Sequence, residues 1–173
     1  MKLINVEIKA RCNDPEAVRG ALRNRSARFA GVDHQVDTYF NVRRGRLKLR
    51  QGDIENSLIA YRRPDQAGPK TSEVALAQVA NGDELRAVLE RSLGVLVAVD
   101  KQREIYYVDN VKFHIDQVQG LGSFVEIEAC GEQDAEREAL LSQCREYMKL
   151  LGIREEDLVE RSYSDLLMDA SKS

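Results

Sequence analysis

The amino-acid sequence predicts an α+β fold in which eight antiparallel strands form a sheet large enough to close on itself, with helices outside it. Three observations predict this class. Strand-like runs occupy most of the chain, helix signals are confined to a few segments, and several strands carry one charged and one apolar face. The 173 residues contain no linker and no internal repeat, so residues 1–173 are expected to form a single domain.

Three segments carry clear helix signals. One begins near Asp14, a capping residue that a proline follows, and two more cover 82–93 and 134–151, each ended by a glycine. A short fourth helix is expected over 154–160. The apolar residues of the second helix are expected to face the core or to form a contact between two copies of the chain. The sequence therefore leaves a homodimer as one of two alternatives. These residues are Leu85, Val88, Leu89 and Leu93.

The remaining segments are strand-like, and side chains on a strand alternate between two faces. In the first candidate strand, Glu7 and Lys9 share one face while Ile8 lies on the other. In the last candidate strand, Glu126 and Glu128 oppose apolar residues in the same way. The eight candidate strands cover 3–12, 35–42, 46–51, 57–63, 70–77, 97–107, 110–116 and 123–130.

Two arrangements of these two-faced strands are considered. An open sheet would turn the charged faces toward solvent and pack helices on the apolar faces. A closed barrel would turn the charged faces into a polar lumen and cover the apolar faces with helices. Patterning alone favours the open sheet, because strands that are polar on one face are common.

The segregation of charge favours the barrel. Residues 42–50 contain five basic residues and no acidic one, whereas the last strand carries Glu126 and Glu128 without a basic residue. In a shared lumen, the acidic side chains can hold a hard divalent cation and the basic ones a polyanion. Carboxylates two residues apart on a strand repel each other unless a metal ion or a nearby basic side chain neutralises them, and the sequence leaves both options open.

Composition argues against several classes of protein. The 26 Lys and Arg against 29 Asp and Glu give a net charge of −3, which disfavours a dedicated nucleic-acid binder. No uncharged apolar stretch approaches the roughly 18–20 residues that span a bilayer, so no membrane association is predicted. The three cysteines form no C-x-x-C pair, which indicates reduced thiols in a cytoplasmic protein.

Six short motifs follow one another along the chain. They are NVEIK at 5–9, DTYF at 37–40, RLKLR at 46–50, YRR at 61–63, KQR at 101–103 and GSFVEIE at 122–128. With the ending SYSDLL at 162–167, they resemble the CYTH superfamily, which is named for CyaB-type adenylate cyclases and thiamine triphosphatase and is also called the triphosphate tunnel metalloenzymes. The likeness spans nearly the whole chain.

This resemblance implies an eight-stranded tunnel that binds a triphosphate together with Mg²⁺ or Mn²⁺. The acids that it implies as metal ligands are Glu7, Asp116, Glu126 and Glu128. The basic residues that it implies as substrate ligands are Lys9, Arg50, Arg63, Lys101 and Arg103. Arg46 and Lys48 are added as substrate ligands because they share the strand face of Arg50. The residues that it implies as catalytic are Glu7, Lys9, Glu126 and Glu128.

Asn5 departs from the family motif E-x-E-x-K, because it stands where that motif has its first Glu. An amide can offer a carbonyl oxygen to a metal ion or a hydrogen bond to a metal-bound water, but it lacks the negative charge. We expect the replacement to weaken a metal site or to change which of two metal sites fills.

The resemblance implies a small triphosphate substrate such as ATP, tripolyphosphate or thiamine triphosphate. Attack by water on the terminal phosphorus would make the protein a triphosphatase, whereas attack by a ribose 3′-hydroxyl on the α-phosphorus would make it an adenylate cyclase. Hydrolysis is the preferred hypothesis, because it needs neither a base pocket nor an aligned ribose. A non-catalytic binder of polyphosphate or nucleotide is a further alternative. An RNA-binding barrel is disfavoured, because acidic residues in the lumen would repel the nucleic-acid backbone.

Overall fold

The computed structural model describes residues 3–62, 64–132 and 136–173. The strands are β1 (Leu3–Arg11), β2 (Arg28–Phe40), β3 (Arg46–Gly52), β4 (Ser57–Arg62), β5 (Lys70–Gln78), β6 (Val95–Val108), β7 (Val111–Val118) and β8 (Gly122–Gly131). The helices are α1 (Pro15–Asn24), α2 (Gly82–Leu93), α3 (Arg137–Leu150) and α4 (Tyr163–Ala170), with a 3₁₀ turn at Glu155–Asp157. Over these described ranges, no helix combines the length and the apolar character needed to cross a lipid bilayer.

The strands close into one barrel in the order β1-β5-β4-β3-β2-β6-β7-β8. Every neighbouring pair is antiparallel, including β1 with β8, the pair that completes the ring. The predicted α+β class and the closed eight-stranded barrel are therefore confirmed, and the alternative of an open sheet is wrong. Closure also removes the unpaired strand edges that an open sheet would leave.

The second strand differs most from its prediction, because β2 begins at Arg28 and not at residue 35. Gly31 adopts a φ of +132° next to a shift in the register between β2 and β6. Such a bulge interrupts the strict alternation of side chains along a strand. The first part of β2 therefore lacks the alternating pattern by which strands are recognised in a sequence.

The fourth helix lies later in the chain than predicted. Residues 154–160 form only a short 3₁₀ turn. α4 begins instead after Ser162, whose hydroxyl accepts a hydrogen bond from the backbone N–H of Asp165 and so caps the helix. The predicted start of the third helix, at residue 134, lies outside the described residues.

The apolar faces of the strands point outward and are covered by helices. α3 packs on β1 and β8, where Leu140 and Cys144 join a buried cluster with Val6, Ile8 and Ile127. The Cys144 thiol also donates a hydrogen bond of 3.2 Å to the Val6 carbonyl oxygen. Since the outer faces carry the hydrophobic core, the inner faces are left for polar and charged residues.

α2 lies apart from this core. No residue of α2 is buried, and Val88 is 61% exposed. The expectation that Leu85, Val88, Leu89 and Leu93 enter the core is therefore wrong, because α2 packs on β2 and β3 and its side chains are at most partly covered by the described residues. A contact between two copies of the chain through these residues stays a prediction.

α4 covers one end of the barrel. The Tyr163 ring meets the Phe124 ring at a centroid distance of 4.9 Å, and Tyr163 joins a buried cluster with Val99 and Val118. These residues lie near the start of β8, near the start of β6 and at the end of β7. Because the strands are antiparallel, all three positions belong to the same end of the tunnel.

Substitution Phe113→Ala is expected to lower the free energy of unfolding by about 3–5 kcal/mol, because Phe113 is fully buried and packs edge-on against Tyr147. Urea denaturation followed by circular dichroism measures the change. Val88→Ala serves as the control, and we expect it to change stability by less than about 0.5 kcal/mol. Equal effects of the two substitutions would contradict the described core.

Candidate functional site

One face of each strand points into the barrel, and these faces enclose a cavity of about 430 Å³. Predicted site residues from opposite sides of the ring meet in its wall. Those that line the cavity are Glu7, Lys9, Lys48, Arg50, Lys101, Arg103, Glu126 and Glu128. Arg46 and Asp116 lie outside this lining, and Arg63 lies outside the described residues.

β1 and β8 form an acidic wall of the cavity. In their register, Glu7 lies opposite Glu128 and Lys9 lies opposite Glu126. Side chains at opposed positions of antiparallel strands are direct neighbours. The strand pairing therefore places the Glu7 and Glu128 carboxylates side by side, an arrangement that a cation would stabilise.

Glu126 is the most heavily paired acid of this wall. Its Oε2 accepts a hydrogen bond of 3.0 Å from Arg103 Nη2 and lies 3.2 Å from His114 Nδ1, while its Oε1 lies 3.6 Å from Lys9 Nζ. Burial by itself would raise the pKa of the Glu126 carboxyl, but the charges of Arg103 and Lys9 hold it well below its usual range. Glu126 is therefore ionised at neutral pH despite its position inside the barrel.

Asp37 organises the basic wall on the other side. Its carboxylate accepts hydrogen bonds from Lys48 Nζ at 2.8 Å, from Arg50 Nε and Nη2 at 2.9 Å, and from Lys101 Nζ at 2.9 Å. Asp37 is only 1% exposed. Burial would raise its pKa, yet the three cations hold that pKa well below its ordinary value. One carboxylate thus fixes three cations of β3 and β6 in the cavity wall.

Two of the lysines that line the cavity, Lys9 and Lys101, have a lowered pKa and are easier to deprotonate than a lysine in water. Burial lowers the pKa of Lys101 to about 7, although the Asp37 charge opposes that shift. Burial also lowers the pKa of Lys9, against the charge of Glu126. Lys9 Nζ further lies 4.1 Å from the centroid of the Tyr163 ring, a cation–π contact with α4.

Asp116 lies on the inward face of β7 but is not among the residues that line the cavity. Its two oxygens bind Arg103 in a fork, at 2.7 Å from Nε and 2.5 Å from Nη2. The Tyr163 hydroxyl donates a further hydrogen bond of 2.8 Å to the same carboxylate. Both oxygens are thus engaged, and in this structure Asp116 orients Arg103 toward the cavity.

Arg46 lies at the end of the barrel that α4 covers. Its Nη2 donates to Asp165 at 2.7 Å, and its Nη1 donates to the hydroxyls of Ser162 at 2.5 Å and Ser164 at 3.3 Å. These bonds tie the first residue of β3 to the start of α4. In this structure Arg46 therefore fastens the helix to the barrel and does not face the cavity.

Three residues of the site were missed by the sequence analysis. Glu55 accepts a hydrogen bond of 3.0 Å from Arg50 and forms an ion pair with Lys112. The side chains of Glu55, Arg50 and Lys112 all line the cavity. Lys112 could have been found, because it shares its strand face with His114. Glu55 lies in the loop between β3 and β4, where alternation gives no signal. The third, Tyr163, was seen only as part of a terminal motif.

The donor set of the acidic wall suits a hard divalent cation. Carboxylate and amide oxygens are typical ligands of Mg²⁺, which often takes only one or two carboxylates and completes its shell with phosphates and water. Glu7 and Glu128 supply two adjacent carboxylates, and Asn5 supplies a buried amide oxygen that has no hydrogen-bond partner among the described residues. Within the same described ranges, no three acidic, histidine or cysteine side chains converge into a metal cluster.

Comparison with known proteins agrees with this architecture. The family model of the CYTH domain matches residues 3–163. A protein of Methanocaldococcus jannaschii that is provisionally named an adenylate cyclase is 29% identical over 174 residues, which cover 95% of this chain and 98% of that protein. Adenylate cyclase CyaB of Aeromonas hydrophila is 26% identical over 172 residues, which cover 93% of this chain and 87% of that protein.

Solved structures share the barrel. The PH1012 protein of Pyrococcus horikoshii superimposes with a TM-score of 0.76 at 22% sequence identity, over 94% of this chain and 98% of that chain. This likeness shows that the two chains share a fold.

Substitution Asp37→Asn tests the electrostatic design of the cavity. It leaves Lys48, Arg50 and Lys101 without their common carboxylate, and we expect a loss of about 3–5 kcal/mol in the free energy of unfolding. Since the pKa of Asp37 is lowered by folding, its contribution is fully present above the ordinary Asp pKa and is lost only as pH falls toward the lowered value. The loss should therefore be constant between about pH 5 and 6, below the pKa of about 7 at which Lys101 loses its charge.

Urea denaturation at the two ends of this pH range measures the loss in the free energy of unfolding. Asp100→Asn is the matched control, because Asp100 pairs with His34 where both side chains are about half exposed. Its effect should stay below about 1 kcal/mol. An Asp37→Asn variant as stable as the unmodified protein would show that the three cations need no carboxylate between them.

Proposed function

The chain belongs to the CYTH domain family, and we propose that its tunnel binds the triphosphate group of a small molecule and, with a divalent metal ion, hydrolyses a phosphoanhydride bond. The observation that carries this proposal is the meeting of two oppositely charged walls in one cavity. Lys48, Arg50 and Lys101 of the basic wall face a space that Glu7 and Glu128 of the acidic wall also line. A linear polyanion with a bound metal ion is the ligand that both walls suit.

The basic side chains bind and orient the phosphates. Arg50 and Arg103 present planar guanidinium groups that can meet two phosphate oxygens at once, whereas Lys48 and Lys101 act as compact charges. Asp37 and Asp116 hold these groups in place before the ligand arrives. Pre-organised donors need little rearrangement during the reaction, which is why they stabilise the developing charge of a transition state effectively.

The acidic wall is the proposed site of Mg²⁺ or Mn²⁺. Glu7, Glu126 and Glu128 would hold the ion, which when bound supplies Lewis-acid chemistry and neutralises charge on the phosphates. Lys9 and Arg103 keep Glu126 ionised, so that this carboxylate is ready to accept a cation. Asp116, which the sequence also predicts as a ligand, is proposed to act through its bonds to Arg103.

A second candidate function is that of an adenylate cyclase, because the two curated relatives carry that name. Both reactions use the same cations and the same metal. They differ in the attacking group, which is water in hydrolysis and the ribose 3′-hydroxyl of ATP in cyclisation. Hydrolysis remains the first proposal, because it requires no alignment of the ribose against the α-phosphorus.

A product assay distinguishes these functions. Purified protein is incubated with ATP or tripolyphosphate and with Mg²⁺ or Mn²⁺, and the products are separated by chromatography. Orthophosphate indicates hydrolysis, and cyclic AMP with pyrophosphate indicates cyclisation. Binding without turnover under either metal would instead identify a non-catalytic binder.

Glu126→Gln is expected to lower turnover by at least about 100-fold while the circular dichroism spectrum is unchanged, since the amide keeps the shape of the side chain but removes its charge. Glu90→Gln is the matched control, because Glu90 is exposed on α2 far from the cavity lining. Near-normal turnover of the Glu126→Gln variant would remove Glu126 from the metal site.

Lys101 provides a test that does not require turnover. At about pH 8 a lysine with a pKa of about 7 is mostly neutral, and an added triphosphate raises that pKa, so binding should take up close to one proton. Because protonated Lys101 binds the triphosphate more strongly than neutral Lys101, the affinity for triphosphate is expected to fall as pH rises above about 7. Calorimetry of tripolyphosphate binding in buffers of different ionisation enthalpy measures the uptake. Lys101→Arg, which stays charged, should lower this uptake, and an equal uptake by that variant would contradict the assignment.

A further inference from the structure

The loop between β3 and β4, residues 53–56, lies at the end of the tunnel away from α4. Glu55 of this loop forms an ion pair with Lys112, which is near the start of β7. Tyr163 of α4 instead packs in a cluster with Val118, the last residue of β7. The two ends of β7 therefore mark the two ends of the tunnel, one beneath the helix and one beneath the loop.

Asp33 of β2 fixes the shape of this loop. Its carboxylate is fully buried and accepts hydrogen bonds from the backbone N–H groups of Ile54 at 2.9 Å and Glu55 at 3.0 Å. Gly52 leaves room for this contact, because a Cβ there would lie 2.7 and 2.8 Å from the two Asp33 oxygens. The Asn56 side chain closes the loop with two hydrogen bonds to the Gly52 backbone, at 2.8 and 3.2 Å. The loop thus has a defined conformation that directs the Glu55 side chain inward.

Glu55 carries a carboxylate into the cavity that the proposed triphosphate would enter. Its Oε2 accepts hydrogen bonds of 3.0 Å from Arg50 Nη1 and 3.1 Å from Gln35 Nε2, and its Oε1 pairs with the Lys112 ammonium. Burial would raise the pKa of the Glu55 carboxyl, but the charges of Lys112 and Arg50 hold it well below its usual range. Glu55 is therefore an anion at neutral pH, and it engages two tunnel cations as phosphate oxygens would.

The ion pair between Glu55 and Lys112 crosses the lumen. The loop is separated from β7 by two strands on one side of the ring, β2 and β6, and by three on the other, β5, β1 and β8. The side chains of Glu55 and Lys112 are 20% and 17% exposed, which places the pair close to solvent. A polyanion that enters from this end has to separate the two side chains.

The groups that Glu55 engages are ready to meet a phosphate when it withdraws. Asp37 binds Nε and Nη2 of Arg50, so only the Nη1 side of the guanidinium faces Glu55. Arg50 therefore stays oriented after Glu55 leaves. Lys112 lies directly opposite Glu128 in the pairing of β7 with β8, which keeps its ammonium near the acidic wall. Exchange of the Glu55 carboxylate for a phosphate thus leaves both walls in place.

We propose that Glu55 is a built-in competitor of the substrate, whose carboxylate occupies Arg50 and Lys112 in the free protein and withdraws when a phosphate group replaces it. This inference rests on the function proposed above and concerns the regulation of affinity at that same site. It also adds Lys112 to the cations that meet a phosphate. Since each ligand has to displace Glu55, the tunnel binds polyanions less tightly than its cations alone would, and the returning carboxylate favours release of phosphate products.

Substitution Glu55→Gln tests the competition, because it keeps the size of the side chain and removes its charge. Calorimetry with tripolyphosphate in excess EDTA, which prevents metal-dependent turnover, measures the Kd. The variant should bind about five- to tenfold more tightly than the unmodified protein, since the ligand no longer breaks charge-assisted bonds to Arg50 and Lys112. Asp53→Asn is the matched control, because it removes the same charge from an exposed position of the same loop, and its Kd should stay within about twofold.

The alternative role of Glu55, to orient Arg50 as Asp37 does, predicts the opposite sign. An unchanged or higher Kd of the Glu55→Gln variant would therefore overturn the inference. An equal gain in the Asp53→Asn variant would also overturn it, because net charge and not the contact would then set the affinity. If Glu55→Gln fails to fold, Glu55→Asp withdraws the carboxylate by one carbon and should lower the Kd about threefold. An unchanged Kd of the Glu55→Asp variant would be equally contrary.

The measurement separates this inference from the proposed function, because it requires no turnover. Tighter binding by the Glu55→Gln variant supports the competition even if no phosphoanhydride bond is hydrolysed in the presence of Mg²⁺ or Mn²⁺. Hydrolysis by the unmodified protein together with an unchanged Kd in the variant leaves the proposed triphosphatase intact and overturns the competition. Absence of tripolyphosphate binding in both proteins overturns the competition as well.

Discussion

The structure depends on the pairing of charges that the closed barrel forces out of water. Closure turns every second residue of each strand inward, and in the middle of this barrel those residues are acids, lysines and arginines. A buried charge without a partner is costly, whereas a paired one is tolerated. Asp37 meets this need on the basic wall, and the Arg103 guanidinium, held between Asp116 and Glu126, meets it on the acidic side.

This pairing also prepares the cavity for a ligand. Asp37 holds three cations, which is more positive charge than one carboxylate neutralises. On the opposite wall, Glu7 and Glu128 lie side by side and concentrate negative charge. The same side chains that satisfy one another in the free protein thus bring groups of both signs to a common space, which suits a polyanion and a cation together.

The position of the helices and of the hydrophobic core outside the barrel follows from the charges inside it. Because the inner faces carry charge, the hydrophobic core must form outside the sheet, beneath α1 and α3. α4 instead covers one end of the tunnel. There the Tyr163 hydroxyl donates a hydrogen bond to Asp116, and Arg46 donates one to Asp165 in the first turn of the helix. The barrel therefore has a charged middle, one end that a helix covers, and an opposite end where the ion pair of Glu55 and Lys112 lies beside neutral and apolar residues.

The sequence by itself determined the strands, their two faces and most of the charged lining, because a two-residue alternation can be read along each strand without knowledge of its neighbours. Alternation placed Glu7, Arg50 and Glu126 on charged strand faces, and the resemblance to the CYTH superfamily implied their roles. Residues whose surroundings come from distant segments could not be placed. Glu55 lies in a loop, and Asp116 shares the inward strand face of the lining residues although Arg103 and Tyr163 engage both of its oxygens. Likewise, the apolar stripe of α2 resembles a core face, and only the packing of the helices decides that Val88 is exposed in the described part of the chain. Alternation records which face a side chain occupies, whereas the partner that it meets there depends on strand register and helix packing, which only the tertiary structure decides.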